Sequence, residues 1–355
     1  MDLKTLKEVR ANFLNELKAS NAGKKTSLAF IIHNLPQNKI VEEDEIFQVI
    51  VTGGTVCKEA KLIYTGGKLK ILQKQEMYAS TFNTNLDFFE FVKKNLDEQT
   101  KTLALNFTFP IRPLLRKDRL DGTFINGTKE HKFAGLEGKN VGEEIENYIL
   151  KKTGRKIKVA VANDTIALLL SALTQYSWNQ IAAGVVGTGV NFAIFLDSEK
   201  LVNLESGNFD KFPVSTTTKE VDSMSTHKGT YLFEKETAGA YLFKQFDQIV
   251  KDKKIDYPPI TSTAQLDALA NKNVGEASDI ARYLFEKSAA LVTAQMAAIT
   301  DFSKRDLVFV MEGSLFWHSL RPKIERYLKQ LAPEYRTKFA KIENSEILGA
   351  AKLVS

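Results

Sequence analysis

The stretch from residue 157 to 205 restricts the fold more than any other part of the chain. It opens on Ile157, Val159 and Val161 alternating with Lys158 and Ala160, the period of a half-buried strand. Asn163-Asp164-Thr165 comes next, and then an apolar run over 166–173 long enough for a helix. Gly187-Thr188-Gly189 then forms a turn between the apolar runs 181–186 and 192–196. Strand, helix and hairpin in close succession predict a sheet-based α/β fold. A carboxylate at a strand end, near a glycine turn able to approach phosphate, points to general-base chemistry on a phosphorylated partner.

The rest of the chain narrows that expectation. Its 355 residues suffice for two domains, and 43% hydrophobic with 26% charged residues is the balance of a soluble globular protein. A lone cysteine, Cys57, rules out an internal disulfide framework and fits a reducing, cytoplasmic setting. Residues 1–18 space Leu3, Leu6, Val9, Phe13, Leu14 and Leu17 as an amphipathic helix, without the apolar core of a signal peptide. No run approaches the ~18 apolar residues of a membrane span. The net charge of +6 is spread along the chain without interleaved aromatics, which reads as a solvated surface rather than a nucleic-acid face, so no nucleic-acid partner is expected. His33, His131, His227 and His318 are isolated, so no protein-held transition metal is expected.

Along the chain, 46–51 reads as a strand, 56–64 as its hairpin partner after Thr52-Gly53-Gly54-Thr55, and Gly66-Gly67 allows a third strand. Residues 27–34 read as a connector or short element, 82–96 as a helix, and 102–107 as a strand stopped by Pro110 and Pro113. Residues 112–138 read as a functional loop or hairpin. Asn140 with Glu143 three residues on predicts a capping box for a helix striped by Val141, Ile145, Tyr148 and Ile149. Beyond Glu205 the helical period dominates, over 233–250, 263–270 and 276–302. A strand over 306–311 then delivers Glu312-Gly313-Ser314 to another helix start. The echo between Thr52-Gly53-Gly54-Thr55 and Gly187-Thr188-Gly189 suits a duplicated fold with two phosphate-binding hairpins.

These residues together resemble the hexokinase family, the sugar kinases of the actin-like ATPase superfamily. The resemblance is carried by Asn106-Phe-Thr-Phe-Pro110, Asp121-Gly-Thr-Phe-Ile-Asn-Gly-Thr-Lys129, Val161-Ala-Asn-Asp-Thr165 and Gly184-Val-Val-Gly-Thr-Gly-Val-Asn191. It continues through Val202-Asn-Leu-Glu-Ser-Gly-Asn-Phe209, Phe233-Glu-Lys-Glu-Thr-Ala-Gly-Ala-Tyr-Leu242, Glu312-Gly-Ser314 and the closing residues 345–351. The implied fold is a two-lobed α/β, ribonuclease H-like architecture with a cleft. A small domain would comprise 40–165 and 343–355, and a large domain 1–39 and 166–342. The implied partners are a hexose and ATP, with Mg2+ carried by the nucleotide.

The resemblance also implies roles. Asp164 would be the general base, and Lys129 a catalytic and sugar-site lysine. Thr108, Phe109, Thr128, Asn163, Asn191, Glu205 and Glu234 would complete the sugar site. Gly53, Gly54, Thr55, Lys58, Gly187, Thr188, Gly189, Gly313 and Ser314 would hold the nucleotide. The chemistry is reasonable in its own right: a sugar is recognised by carboxylates and amides that fix hydroxyl directions, and its hydroxyl needs a positioned base.

The pattern is broken in places. Val51 stands where the family's first phosphate hairpin has an Asp expected to help place magnesium, and Lys58 stands for an Arg. Gly127 occupies a usual tryptophan position, and His131 a phenylalanine. The expected activity is phosphorylation of the 6-hydroxyl of glucose or a similar hexose by ATP. A sugar-binding sensor whose nucleotide site has decayed at Val51 is the alternative, and another hexose or donor a variant of the first.

Overall fold

The computed structural model describes every residue except Gly54, Thr55, Ala79, Ser80 and Lys129. Two compact units divide the chain. A sheet-rich unit holds Ile31–Ala183, Phe195–Asn203 and Lys341–Ser355, and a helix-rich unit holds Met1–Phe30, Gly184–Ile194 and Leu204–Ala340.

In the sheet-rich unit, five strands run in the order Lys68–Tyr78, Val56–Thr65, Ile46–Thr52, Thr102–Phe107, Lys158–Ala162. The first three are an antiparallel meander, with Ile46 opposite Ile63 and Val56 opposite Tyr78. Gly66 and Gly67 both have positive φ, which lets a two-residue turn join the last two strands of that meander. The last three strands are parallel, with Gln48 beside Leu103 and Thr102 beside Lys158. Parallel neighbours need crossovers, and the helices Asn85–Asn95 and Val141–Thr153 supply them. The core beneath is unusually aromatic: Phe82, Phe88, Phe107, Phe109, Phe124 and Phe133 are all buried, in mostly tilted and edge-on pairs.

Residues 112–138 resolve into an antiparallel hairpin, Ile111–Arg116 against Arg119–Phe124, followed by an irregular return. The connector expected at 27–34 ends in a strand, Ile31–Asn34, antiparallel to Lys200–Asn203. The capping box expected at Asn140 does not form. Asn140 is the N-cap by backbone position, but its Oδ1 accepts from the Thr123 hydroxyl and its Nδ2 donates to Glu143. The free N–H groups of Gly142 and Glu143 go instead to Asp121, a fully buried carboxylate also bonded by Gly122 N–H and Arg116. Burial raises the Asp121 pKa above its ordinary value, against those four donors. A cap supplied from a distant hairpin thus replaces the local one and locks hairpin to helix.

In the helix-rich unit, the first helix runs Leu3–Asn21, capped by Asp2, and packs Leu6, Val9, Phe13 and Leu17 inward. Its partner is the helix Glu276–Ser303, which is buried on all sides over its second half, as a central helix must be. Arg10 grips Asp301 with two nitrogens, at 2.6 and 2.5 Å, where the two helices meet. The helix expected over 233–250 is broken in two, Leu232–Thr237 and Gly239–Asp252, around extended Ala238. The cause is tertiary. Gly239 and Ala240 donate their N–H groups to Gly187 and Thr188 carbonyls, and the carbonyls they abandon at Lys235 and Glu236 accept from Gln245. Among the described residues no helix is long and apolar enough to cross a membrane.

His33, on the strand Ile31–Asn34, is 2% exposed, with Nδ1 3.0 Å from the Ile31 carbonyl. Burial lowers its pKa to about 4 from the usual 6.5, so it is neutral in the folded chain. Between those values the unfolded chain binds the extra proton, so stability falls as pH drops. Thermal melts from pH 7 to pH 4 should show a loss of about 3 kcal/mol from this residue, absent in His33→Gln.

Candidate active site

The helix-rich unit gathers its chemistry around one turn. The chain leaves a strand at Val186, turns through Gly187-Thr188-Gly189, closed by a Gly187 N–H to Gly189 carbonyl bond of 2.9 Å, and returns at Val190. Two other backbones press on it. Gly239 donates to the Gly187 carbonyl at 2.8 Å, and a Cβ at Gly239 would stand only 2.8 Å from that oxygen. Gly313 has φ +106°, and a Cβ there would meet the Val186 carbonyl oxygen at 2.1 Å. Only glycine satisfies either position.

Beside this contact lies a cavity of about 440 Å³. Gly187, Thr188 and Ser314, expected from sequence to meet a nucleotide, line it, and Gly313 sets the turn that places Ser314 there. Its remaining walls were not legible beforehand: Gly239-Ala240, Phe243, the hydroxyl run Thr261-Ser262-Thr263, Asp267 and His318. One signal was present, since Ser262 caps the helix Thr263–Lys272 through Gln265 N–H, and a Ser/Thr run before a helix is a capping pattern.

The other side of the same turn carries acids and an amide. Glu234 accepts the Val190 N–H at 3.1 Å, so close to Gly189 that a Cβ there would be 2.6 Å from the carboxylate. Asn191 Oδ1 accepts from Phe192 and Ser206 N–H groups, and its Nδ2 reaches Glu205 at 3.4 Å. Glu205 is held at φ 50°, in the left-handed region that non-glycine residues seldom enter. Burial, and then the charge of nearby Glu205, lifts the Glu234 pKa above its ordinary value although Val190 opposes the rise. Asn191, Glu205 and Glu234, far apart in sequence, are thereby brought together.

In the sheet-rich unit, the strand Lys158–Ala162 delivers Asn163 and Asp164 to the helix Asp164–Ser171. The side-chain cap is Asn163, whose Oδ1 accepts the Ile166 N–H at 3.0 Å. Asp164 is therefore not spent on capping; it lies exposed in the first turn, with Oδ1 held by Thr165 N–H at 2.8 Å. Among the described residues the buried Thr108 hydroxyl has no hydrogen-bond partner. Phe109 is 1% exposed and packs on Phe107 and Phe133. Thr128 is half-buried, and its carbonyl accepts from His131 N–H. Gly127 has no room for the tryptophan common at its position, since a Cβ would be 2.0 Å from the His131 carbonyl oxygen. Val51 is buried in its strand, Gly53 follows that strand, and Lys58 is paired with Glu346 at 2.8 Å. Gly54, Thr55 and Lys129 lie outside the described residues.

Both units combine strands and helices, and the chain as a whole has the actin-like fold. Over 100% of this chain and 95% of the other, the structure is similar to that of a Schistosoma mansoni hexokinase complexed with glucose, with a TM-score of 0.76 and 20% identity. Residues 1–174 and 181–256 match the two family models described as hexokinase, and the chain belongs to the hexokinase family. It is 27% identical over 238 residues to Hexokinase-9 of Oryza sativa subsp. japonica, covering 56% of this chain and 46% of that protein. It is 31% identical over 185 residues to a Schistosoma mansoni hexokinase, covering 47% and 40%. The matched segment thus spans about half the length of such relatives.

The glycine contact gives a direct test. Gly313→Ala should lower stability by at least ~2 kcal/mol, read as a fall in Tm, because neither its φ nor the Val186 carbonyl tolerates a Cβ. Ser314→Ala, whose side chain only borders the cavity, should leave Tm nearly unchanged.

Proposed function

We propose that the protein is an ATP-dependent hexose kinase that transfers the γ-phosphate to the 6-hydroxyl of glucose or a similar hexose. One observation carries this reading: residues 187–191 border a cavity with their first half and a carboxylate–amide set with their second. A donor and a hydroxylated acceptor held on either side of one turn is what phosphoryl transfer needs, since most of its acceleration comes from positioning.

The cavity's volume suits a nucleoside, with Phe243 for apolar contact and the Thr261–Thr263 hydroxyls for polar contact. Gly187-Thr188-Gly189 and Gly313-Ser314 would approach its phosphates, and Gly53, Gly54, Thr55 and Lys58 are proposed as nucleotide contacts as well. Asn191, Glu205 and Glu234 would bind hexose hydroxyls, and Thr108, Phe109, Thr128, Lys129 and Asn163 are proposed as hexose contacts as well. The Thr108 hydroxyl, without a partner among the described residues, fits such a role. Asp164 would take the proton as the hydroxyl oxygen attacks, and its exposed carboxylate, relieved of capping by Asn163, supports that assignment.

Among the described residues no three His, Cys, Asp or Glu side chains cluster as a metal site. Mg2+ would be carried by the nucleotide's own phosphates and water and would offset charge on the transferring group. Val51 favours a second reading, a hexose sensor without turnover, because its buried apolar side chain replaces an acid expected near the metal.

Hexose-dependent ADP release from Mg-ATP separates the two readings. The kinase should turn over, whereas a sensor would bind D-glucose in calorimetry and release no ADP. Asp164→Ala should lower kcat by ~10²–10⁴-fold while still binding glucose; unchanged turnover would remove Asp164 from the mechanism.

A further inference from the structure

Glu234 sits on a helix of only six residues, Leu232–Thr237, without a side-chain cap. The chain enters it through left-handed Tyr231, φ 52°, and leaves it through extended Ala238. A helix this short has little stability of its own, so its neighbours must set its orientation. Those neighbours are charged.

Lys235 is 1% exposed, and its ammonium donates to three oxygens of the segment running from the end of helix Thr216–Ser223 into the loop after it. They are Asp222 Oδ1 at 2.5 Å, the Ser225 hydroxyl at 3.0 Å and the His227 carbonyl at 2.5 Å. Asp222 also accepts the Gly229 N–H at 3.0 Å, closing the loop on itself. Carboxylate, hydroxyl and carbonyl surround the ammonium as they would a bound monovalent cation, and all three of its donors are used. The ion pair also lowers the Asp222 pKa below its ordinary value. On the far side, buried Glu236 pairs with Lys287 and accepts the Ser215 N–H at 3.0 Å. Glu234 is therefore followed directly by two anchored residues.

Burying a lysine is expensive, and an apolar residue of the same shape is often as stable or more so. Stability alone does not explain the charge; geometry does. Glu234 is wedged against Gly189 and Gly207, where an added Cβ would stand 2.6 Å from its Oε2 and 3.1 Å from its own Cβ. A small rotation of the short helix would withdraw the carboxylate from Val190.

We propose that Lys235 is the positioning residue of the hexose site, its ammonium held by Asp222 at the end of helix Thr216–Ser223 and by Ser225 and His227 just beyond it, so as to fix the direction in which Glu234 meets the sugar. This rests on the reading of Glu234 as a hexose ligand. Lys235→Met keeps the apolar stem and removes the charge. It should weaken D-glucose binding by calorimetry, and raise the hexose KM, on the order of tenfold, with the Mg-ATP KM within about twofold. Asp222→Asn, which keeps the acceptor oxygen, should show a smaller loss in the same direction. Added to Glu234→Gln, Lys235→Met should cost almost no further glucose affinity, because the two act through one carboxylate.

A lower Tm with unchanged glucose affinity, or fully additive losses in the double variant, overturns the proposal. Should Lys235→Met not fold, Asp222→Asn and Ser225→Ala decide it, and unchanged glucose affinity in both is the refuting result. Glucose binding untouched by Glu234→Gln alone removes the ligand reading and the positioning role with it. A sensitive Glu234→Gln beside an insensitive Lys235→Met removes only the positioning role.

Discussion

Three stretches of backbone meet at contacts tighter than an ordinary β-carbon makes, and the helix-rich unit is arranged about that meeting. Gly187, Gly239 and Gly313 come from a hairpin turn, a helix start and a strand end. Glycine costs conformational entropy in the unfolded chain, so it persists where close approach demands it. Because Gly239 gives its N–H to Gly187, the preceding helix must stop at Thr237 and a new one begin. Because Gly313 adopts φ +106°, the chain leaving strand Val308–Glu312 turns so that Ser314 reaches the cavity. The turn, the cavity and the acid set beyond it all follow from one contact of main chain on main chain.

The two units hold their candidate residues by opposite means. In the sheet-rich unit, a phenylalanine cluster and a buried carboxylate cap fix the hairpin and the helix that flank the strands. Non-directional packing of large rings suffices there, with Asp121 supplying direction at one helix end. In the helix-rich unit, the segment bearing Glu234 is too short for either device, and paired charges at Lys235 and Glu236 hold it instead. Hydrogen bonds to charged groups are directional as well as strong, which suits a carboxylate that must keep one orientation.

Much of the architecture could be read from periodicity. The first helix, the meander strands, the strand before Asn163 and the central helix over 276–302 emerged with small shifts at their ends, since the period of each is a local property of its sequence. The misreadings share a cause. Residues 233–250 have an unbroken helical period, yet Gly187 and Gln245 compete for the backbone at Gly239 and its abandoned carbonyls. Asn140 and Glu143 have capping-box spacing, yet Asp121 takes the N–H groups first. In both places a residue remote in sequence outbid a local hydrogen bond.

The sequence by itself determined the α/β class, the placing of Asp164 at a strand end and the glycine turn at 187–189, because alternation, apolar runs and glycine are local properties. It also carried the motifs that mark the hexokinase family. Only the tertiary structure decided that Asn163 does the capping and leaves Asp164 exposed. Only it gathered Asn191, Glu205 and Glu234, walled the cavity with Phe243 and Thr261–Thr263, and buried Lys235 in a loop of acceptors. Those are choices among competing partners, and a hydrogen-bonding group selects its partner by distance in space, which spacing along the chain does not encode.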